Sequence, residues 1–410
     1  MKKILFRAAV LMLIFALALT ASAAPRYTGE RIEANPEEMR SEHETYVIGV
    51  LQTLALYATD DKPAGSMRKL VLPGSRAEAA VNRFDGGWFS EHNKVGFENA
   101  RTENYSGDGI NAFECDAYID CVVEIKKGEV MVYDMAYHFE FVCPDPESDA
   151  NNKWRLTRFT NLPTEADRID LAALNAQDPG LYVEHIVGPT FKGYLLTVYD
   201  PSRVYVGTVP RPYDPAKLGW QLDDFAEAYE AAAVINGGGF ADPNGMGRGG
   251  VPNGIVVSQG QWLQNHTSGE TFGTIIGFDE NDRLICSSTT AREDAKSLGL
   301  RDAVAFSPVL IQDGVALDNT AYRTELSART AIGQRADGAV LMLVVDGRQP
   351  DSLGSAMGAI TEILLEHGAV TAANLDGGTS TALVLHGQKV NDGTAPSRVS
   401  RYMPTAFIVK

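Results

Sequence analysis

The sequence predicts a two-domain α+β protein, in which a smaller domain of helices followed by antiparallel strands precedes a larger mixed α/β domain. A chain of 410 residues is long for one domain and comfortable for two. The hydrophobic periodicity changes from helical spacing to strict alternation near Phe97, and from Tyr194 onward strand-like runs alternate with helix-like runs. Apolar residues make up 44% and charged residues 22%, as in ordinary globular proteins.

The N-terminus has the pattern of a signal peptide. A basic segment that ends at Arg7 precedes the apolar run 8–19, and the small residues Ala21-Ser22-Ala23 follow. We therefore expect residues 1–23 to be removed and the mature protein to be exported, whether secreted, periplasmic or associated with the cell envelope. A retained N-terminal membrane anchor is the alternative.

The charge balance argues against a nucleic-acid partner. There are 53 acidic and 36 basic residues, which give a formal net charge of −17. Phosphate backbones attract basic surfaces, so nucleic-acid binding is not expected. Contact with a membrane is expected only through the N-terminal segment.

Residues 37–162 are predicted to form the smaller domain. Its pattern of helices before strands resembles nuclear-transport-factor-2-like domains in outline, and we interpret it as a spacer or recognition module. A capping box at Ser75 opens the second helix, which runs toward Arg83. The predicted first helix and three strands are Glu37–Thr59, Phe113–Ile125, Val130–Cys143 and Lys153–Asn161.

The four cysteines indicate no zinc pattern. Cys115 and Cys121 lie on one predicted strand, roughly 20 Å apart, so they cannot pair with each other. A bond between Cys115 and Cys143 stays open, although buried free thiols are the preferred interpretation. His92 and His138 are interpreted as structural.

Residues 188–410 are predicted to form the larger domain, with functional loops at its strand ends. The predicted helices are Leu222–Ala232, Thr290–Leu298 and Ser355–His367, the last ending at Gly368.

The most informative segment is 374–381, which reads Asn-Leu-Asp-Gly-Gly-Thr-Ser-Thr. It places the Asp376 carboxylate after an apolar run, beside two glycines and three hydroxyls. By itself it could be a tight turn. Similar blocks, however, follow or open other strand-like runs, namely 236–240, 252–254, 329–333 and 345–348. Together they supply arginines, carboxylates, amides and glycines, a set suited to an anionic, oxygen-rich ligand.

These blocks, in this order, resemble the phosphodiester glycosidase family over about residues 188–410. The resemblance implies hydrolysis of the bond between an anomeric carbon and a phosphodiester oxygen. Two departures from the family pattern occur. Thr379 stands where a third small residue is usual, and the closing segment reads Arg398-Val399-Ser400-Arg401, so either arginine could take the family role.

The resemblance and the block positions together give the candidate site. Asp376 or Asp346 is expected to be the nucleophile or base, with Glu362 as a further catalytic candidate. Arg329 and Arg348 are expected to bind phosphate. The other expected substrate-binding residues are Asn236, Gly238, Asn253, Gly377, Gly378, Ser380 and Thr381.

The expected partner is a glycan or sugar phosphodiester, with no cofactor and no metal ligand set. A divalent cation held by oxygen ligands at Asp376 or Asp346 remains an alternative. Two other functions stay open. One is a non-catalytic glycan-binding protein of envelope or exopolysaccharide assembly, and the other is a metal-dependent phosphodiesterase that cleaves the phosphorus–oxygen bond.

Overall fold

The computed structural model describes eleven stretches of the chain, and they form two compact units. One unit contains the described residues within 1–167, 187–190 and 349–351, and the other those within 168–186, 191–348 and 352–410. The predicted signal peptide lies outside the described residues. Among the described residues, no helix is long and apolar enough to cross a membrane. The described stretches are 36–59, 64–84, 95–126, 129–147, 153–164, 169–243, 247–265, 274–288, 292–319, 325–394 and 401–410.

The described residues of the first unit form the helices and strands α1 (Pro36–Thr59), α2 (Ala64–Leu70), α3 (Arg76–Val81), β1 (Val95–Gly107), β2 (Ala112–Lys126), β3 (Glu129–Val142) and β4 (Arg155–Asn161). The strands make an antiparallel sheet of order β1-β2-β3-β4. This is the predicted order of helices before strands. Helix α2 was not predicted, and most side chains of β1 are exposed, so its apolar pattern is weak.

The predicted cap at the start of α3 forms in part. Ser75 Oγ accepts a hydrogen bond from the N–H of Glu78 at 3.1 Å, as an N-cap residue does. The Glu78 carboxylate accepts from the N–H of Gly74 at 2.7 Å, one residue before the N-cap, instead of from the N–H of Ser75 as in a complete capping box. The four cysteines are free thiols, as preferred from the sequence. Burial raises the pKa of the Cys115 thiol to about 12, so this thiol stays protonated.

The second unit contains three sheets, and all their strand ladders are antiparallel. A seven-stranded sheet has the order β15-β14-β18-β16-β17-β6-β5, and two five-stranded sheets have the orders β20-β19-β8-β21-β7 and β10-β9-β13-β11-β12. The elements, in chain order, are α4 (Leu171–Asn175), β5 (Leu181–Val187), β6 (Lys192–Val198), β7 (Val204–Thr208), α5 (Leu222–Ala228), β8 (Ala233–Asn236), β9 (Ile255–Ser258), β10 (Gln261–Asn265), β11 (Thr274–Asp279), β12 (Leu284–Ser287), α6 (Arg292–Ser297), β13 (Leu300–Phe306), β14 (Val309–Gln312), β15 (Val315–Ala316), β16 (Arg329–Arg335), β17 (Val340–Val345), α7 (Met357–Glu366), β18 (Ala369–Asn374), β19 (Leu383–Leu385), β20 (Gln388–Lys389) and β21 (Thr405–Val409).

All three helices predicted in this unit occur. Helices α5 and α7 are shorter than predicted, and the predicted start of α6 at Thr290 lies outside the described residues. Helix α5 ends at Ala228 because Glu230 takes a positive φ of 47° and the chain then enters β8. Helix α7 ends before Gly368, whose φ of 85° suits a glycine at a helix end. The mixed α and β class predicted from the sequence is confirmed.

A continuous apolar core joins the three sheets and fixes the strand ends. It includes Met342 of the seven-stranded sheet, Phe407 beside β8, and Phe278 of β11, all 0% exposed. Burying each such side chain contributes about 1.5–3 kcal/mol. The strand ends, and therefore the loops that follow them, are held by a rigid interior.

Candidate functional site

The candidate site forms at one edge of the seven-stranded sheet. Strand β16 is antiparallel to both β17 and β18, so the beginning of β16 lies beside the ends of those two strands. Arg329 pairs with Val345 and Ala331 pairs with Asn374. The blocks 329–333, 345–348 and 374–381, distant in sequence, therefore meet at this edge.

Asp376 lies in the loop after β18 and is half-buried. Its Oδ1 accepts a hydrogen bond from the N–H of Gly377 at 3.1 Å. Burial, the largest influence, raises the pKa of the carboxyl to about 6. The nearby Ser380 hydroxyl, the Gly377 N–H and the charge of Arg401 lower it by less. Asp376 therefore changes protonation state near neutral pH, as an acid–base or nucleophilic group requires.

Asn236 holds the Asp376 loop in place. The side chain is 0% exposed. Its Nδ2 donates to the main-chain oxygen of Asp376 at 2.6 Å, and its Oδ1 accepts from Thr330 Oγ1 at 2.8 Å and from the N–H of Ala382 at 3.2 Å. Because the amide is saturated inside the protein, a positioning role replaces the predicted contact with substrate.

The predicted substrate-binding glycines of the blocks 374–381 and 236–240 are explained by contacts within the protein. The N–H of Gly377 donates to Asp376, and the N–H of Gly378 donates to the oxygen of Ala328 at 2.9 Å. These amides are therefore not directed at a ligand, which corrects the prediction. A Cβ on Gly238 would lie 2.7 Å from the oxygen of Ala305, so strand packing rather than a ligand requires that glycine.

Asp346, after β17, is buried and anchors a second loop. Its Oδ1 accepts hydrogen bonds from Asn391 Nδ2 at 2.7 Å and from the N–H of Gly393 at 2.6 Å, and its Oδ2 accepts from the N–H of Asp392 at 3.2 Å. Burial, the largest influence, raises the pKa of this carboxyl to about 7, and the three hydrogen-bond donors oppose that rise. With 6% exposure and both oxygens engaged, Asp346 is placed as a positioning residue rather than as the predicted nucleophile.

Arg329 is buried within the protein at the start of β16. Its Nε donates to the oxygen of Ser355 at 3.1 Å and its Nη2 to the oxygen of Glu325 at 2.9 Å, and the side chain is 4% exposed. The guanidinium ties loops together instead of facing solvent. The predicted phosphate contact at Arg329 is therefore replaced by a structural role.

Arg348 reaches the Asp376 loop. It is half-buried and adopts a positive φ of 61°. A Cβ placed on Gly378 would lie 3.7 Å from Arg348 Nη2, which locates the guanidinium directly over that loop. Of the two predicted phosphate-binding arginines, Arg348 is the one that the fold brings to the Asp376 loop, at Gly378.

Arg401 adds a second positive charge near Asp376. Its guanidinium forms a two-point ion pair with Asp242, in which Nη1 lies 2.6 Å from Oδ2, and its Cζ lies 4.9 Å from the centre of the Phe240 ring. The charge lowers the pKa of Asp376. The sequence left the choice between Arg398 and Arg401 open, and Arg398 lies outside the described residues.

Two buried hydroxyls stand beside the aspartate. Ser380 and Thr381 are 1% and 2% exposed. Within the described part of the chain neither Ser380 Oγ nor Thr381 Oγ1 makes a hydrogen bond of ordinary length, although the Ser380 hydroxyl is near enough to Asp376 to lower the pKa of its carboxyl. Buried polar atoms are nearly always satisfied, so these two are candidates to bind a ligand oxygen or an ordered water. Both were predicted as substrate-binding residues, and the fold brings both to the Asp376 loop.

Asn253 and Glu362 are the two exposed members of the predicted site. Asn253 is exposed, and its N–H donates to the oxygen of Gly239 at 2.9 Å, so it flanks the block 236–240. Glu362 lies on the exposed face of α7. Its catalytic role stays a prediction. Neither Asp376 nor Asp346 joins a group of three possible metal ligands among the described residues.

The matched relatives bear on the same part of the chain. Residues 229–410 match the family model described as phosphodiester glycosidase. The N-acetylglucosamine-1-phosphodiester alpha-N-acetylglucosaminidase of Bos taurus is 44% identical over 229 residues, which cover 50% of this chain and 41% of that protein. The Mus musculus protein of the same name is 27% identical over 219 residues, covering 50% and 42%.

A solved structure is also similar. The catalytic domain of the zebrafish enzyme of that name, auto-inhibited by its pro-peptide, is 22% identical, with a TM-score of 0.47, and the match covers 57% of this chain and 84% of that one. The chain spans less than half the length of the curated relatives named above. The predicted resemblance is confirmed: residues 229–410 match the phosphodiester glycosidase family model.

Proposed function

We propose that this protein is an exported hydrolase that cleaves the glycosidic bond of sugar-1-phosphodiesters. The observation that carries the proposal is the half-buried carboxyl of Asp376, whose pKa is raised by burial to about 6 and which lies within the field of Arg401, on a loop that the Arg348 guanidinium contacts at Gly378. An ionisable carboxyl next to a positive charge matches a reaction in which a sugar cation and a phosphate anion separate. The names of the relatives suggest N-acetylglucosamine as the first sugar to test.

The leaving group decides what the site must supply. A phosphate monoester departs as a stabilised anion, so strong general-acid assistance is less necessary than for an alcohol. The ionised Asp376 is the candidate nucleophile at the anomeric carbon, or the base that takes a proton from the attacking water. Arg348 would contact the departing phosphate, while Arg401, held by Asp242, adds positive potential. Water supplies a hydroxyl to the sugar and a proton to balance the products.

The buried hydroxyls of Ser380 and Thr381 would contact sugar or phosphate oxygens. Neither makes a hydrogen bond of ordinary length in the described part of the chain, and the Ser380 hydroxyl lies near the Asp376 carboxyl. Donors already held in place need little reorganisation when charge develops, which is the main source of electrostatic catalysis. Asn236 and Asp346 would act indirectly, by holding the loops of Asp376 and of residues 391–393.

An isotope experiment tests the proposal. The purified mature protein is incubated with a panel of sugar-1-phosphodiesters in ¹⁸O-labelled water, and the products are weighed by mass spectrometry. Label in the sugar supports cleavage between the anomeric carbon and oxygen. Label in the phosphate instead identifies a phosphodiesterase, and saturable binding without turnover identifies a glycan-binding protein. Repeating the assay with a chelator tests the proposed absence of a metal cofactor.

Export is supported by the basic, apolar and small-residue order of residues 1–23. The test is the N-terminal sequence of the protein from its natural host. A mature N-terminus near residue 24 supports export with cleavage, whereas full-length protein in the membrane fraction would identify a retained anchor. The role of the first unit as a recognition module remains a prediction.

A further inference from the structure

A cluster of four charged or ionisable side chains lies on the outer face of the first unit's sheet. In the β2–β3 ladder Glu114 is directly opposite Glu140, and Asp116 is directly opposite His138. The residues between them in sequence, such as Cys115 and Phe139, are 0% exposed and point into the core. The alternation of strand side chains therefore places all four on one face.

The histidine in this cluster has a fixed orientation. His138 Nδ1 lies 2.7 Å from Asp116 Oδ1, while its Nε2 faces Glu114 Oε2 at 3.8 Å. The Asp116 side chain is only 15% exposed, and its other oxygen accepts from Asn104 Nδ2 at 2.6 Å. A carboxylate on one ring nitrogen, with the other nitrogen directed outward, is the usual arrangement of a metal-bound histidine.

Strand β1 holds the neighbouring glutamate. Ser106 Oγ donates to Glu114 Oε1 at 2.8 Å, which leaves Oε2 on the side of His138. Across the ladder, Arg158 Nη1 lies 3.2 Å from Glu140 Oε1, and both of these side chains are substantially exposed. Two carboxylates directly opposite each other repel, and one exposed arginine offsets this only in part.

We propose that Glu114, His138 and Glu140 bind one zinc ion, with Asp116 orienting the histidine. One ligand atom from each of the three lies within 4.8 Å of the other two. Zinc holds nitrogen and oxygen ligands at about 2.0–2.2 Å, so the distances between the three ligand atoms would have to shorten by roughly 1 Å. These exposed side chains can move that far. The imidazole favours zinc over calcium or magnesium, which take oxygen ligands. The ion bridges β2 and β3 and relieves the repulsion between the two glutamates.

The site differs from the Asp376 site in unit, residues and chemistry. It supplies three protein ligands, and water completes the coordination of the ion. Its role is to brace the sheet of the first unit, because binding to the folded sheet alone stabilises it against unfolding. The inference does not depend on the glycosidase function.

Metal binding is measured on the full mature protein, prepared without a polyhistidine tag. Zinc affinity and stoichiometry come from competition with a chromophoric chelator, and cobalt substitution reports the coordinating nitrogen in the visible spectrum. We expect one zinc ion per chain. His138→Ala should abolish that stoichiometric binding and the cobalt spectrum. Asp116→Asn should keep one ion per chain and weaken its affinity about tenfold, as loss of a histidine's outer partner does.

Two matched controls separate this site from adventitious binding. His367→Ala removes a half-buried histidine that also lies near a glutamate, Glu184, at 3.6 Å. Asp120→Asn removes a carboxylate opposite Asp134 on the same ladder. Both variants should bind zinc as the unmodified protein does. If the unmodified protein binds no zinc at micromolar concentration, or if His138→Ala binds one ion with unchanged affinity, the proposal is wrong.

Discussion

Asp346 and Asp376 have the same local sequence context but differ in their hydrogen bonds and exposure. Each follows a buried strand, each precedes a glycine, and their strands flank β16, so both lie at one sheet edge. Asp346 gives both oxygens to three donors of residues 391–393 and is 6% exposed. Asp376 accepts one hydrogen bond through Oδ1 and is only half-buried.

The difference in hydrogen bonding and exposure indicates which carboxyl holds a loop and which is able to react. A carboxylate whose oxygens are saturated by main-chain and amide donors stabilises a loop and is not accessible to substrate. A carboxyl with accessible surface and few donors can exchange protons or attack an electrophile. Burial raises the pKa of both groups, to about 7 and about 6, so the pKa alone does not distinguish them. The hydrogen-bond partners do.

Asp376→Asn tests this comparison with the largest expected effect. We expect turnover of a sugar-1-phosphodiester to fall by about 10³-fold or more, as for other essential catalytic side chains. The free energy of unfolding in urea should change little, because the side chain is half-exposed. Asp313→Asn, at another Asp-Gly turn but an exposed one, is the matched control and should retain full turnover. Near-normal activity of Asp376→Asn would return the catalytic role to Asp346.

Substitutions of Arg348 and Arg329 should likewise differ, the first affecting turnover and the second affecting stability. Arg348→Lys keeps the charge but loses the planar two-point geometry, so kcat/KM for a phosphodiester should fall by about tenfold or more. Arg329→Lys should instead lower the free energy of unfolding by about 1–2 kcal/mol, because the buried guanidinium binds main-chain oxygens. Inhibition by free sugar should be unchanged in Arg348→Lys. If Arg329→Lys loses phosphodiester turnover selectively while remaining stable, the assignment of the two arginines is reversed.

The pH dependence reports the protonation state that Asp376 needs. Its pKa is raised to about 6, so the carboxyl is neutral well below pH 6 and ionised above it. If the ionised form is the nucleophile or base, kcat/KM should rise with pH and level off above about 6, falling up to tenfold per unit below it. The measurement is a pH profile at low substrate concentration. A kcat/KM that falls as the pH rises through 6 would make Asp376 a general acid.

Asp346→Asn should have the smallest direct effect on chemistry and act on stability. In this variant an NH₂ group replaces one of the two carboxylate oxygens. One of those oxygens accepts hydrogen bonds from Asn391 and Gly393, and the other accepts one from Asp392. In either orientation the new NH₂ group would face a buried N–H donor. We expect the free energy of unfolding to fall by about 1–3 kcal/mol. The loss should be larger than in Asp376→Asn under the same conditions. An Asp346→Asn protein as stable as the unmodified one, yet inactive, would place Asp346 in the reaction.

Much of the architecture follows from local sequence. The long first helix, the N-cap at Ser75 and the alternating strand 130–143 depend on neighbouring residues, and the sequence predicted them close to their observed bounds. The block 374–381 was likewise recognisable, because a carboxylate with two glycines after an apolar run requires a specific turn. Alternation was noted from Phe97 onward, but β1 was not predicted as a separate strand because most of its side chains are exposed and its apolar pattern is weak.

The roles of the polar residues were decided only by the tertiary structure. The sequence by itself determined the mixed α and β class, much of the order of helices and strands, and the blocks that meet at the candidate site. It could not determine that Asn236 is saturated by Asp376, Thr330 and Ala382, which lie up to 146 positions away. Whether an arginine or an aspartate faces solvent or its own chain depends on donors and acceptors brought together by antiparallel pairing. Such pairing joins residues distant in sequence, and no local pattern encodes it.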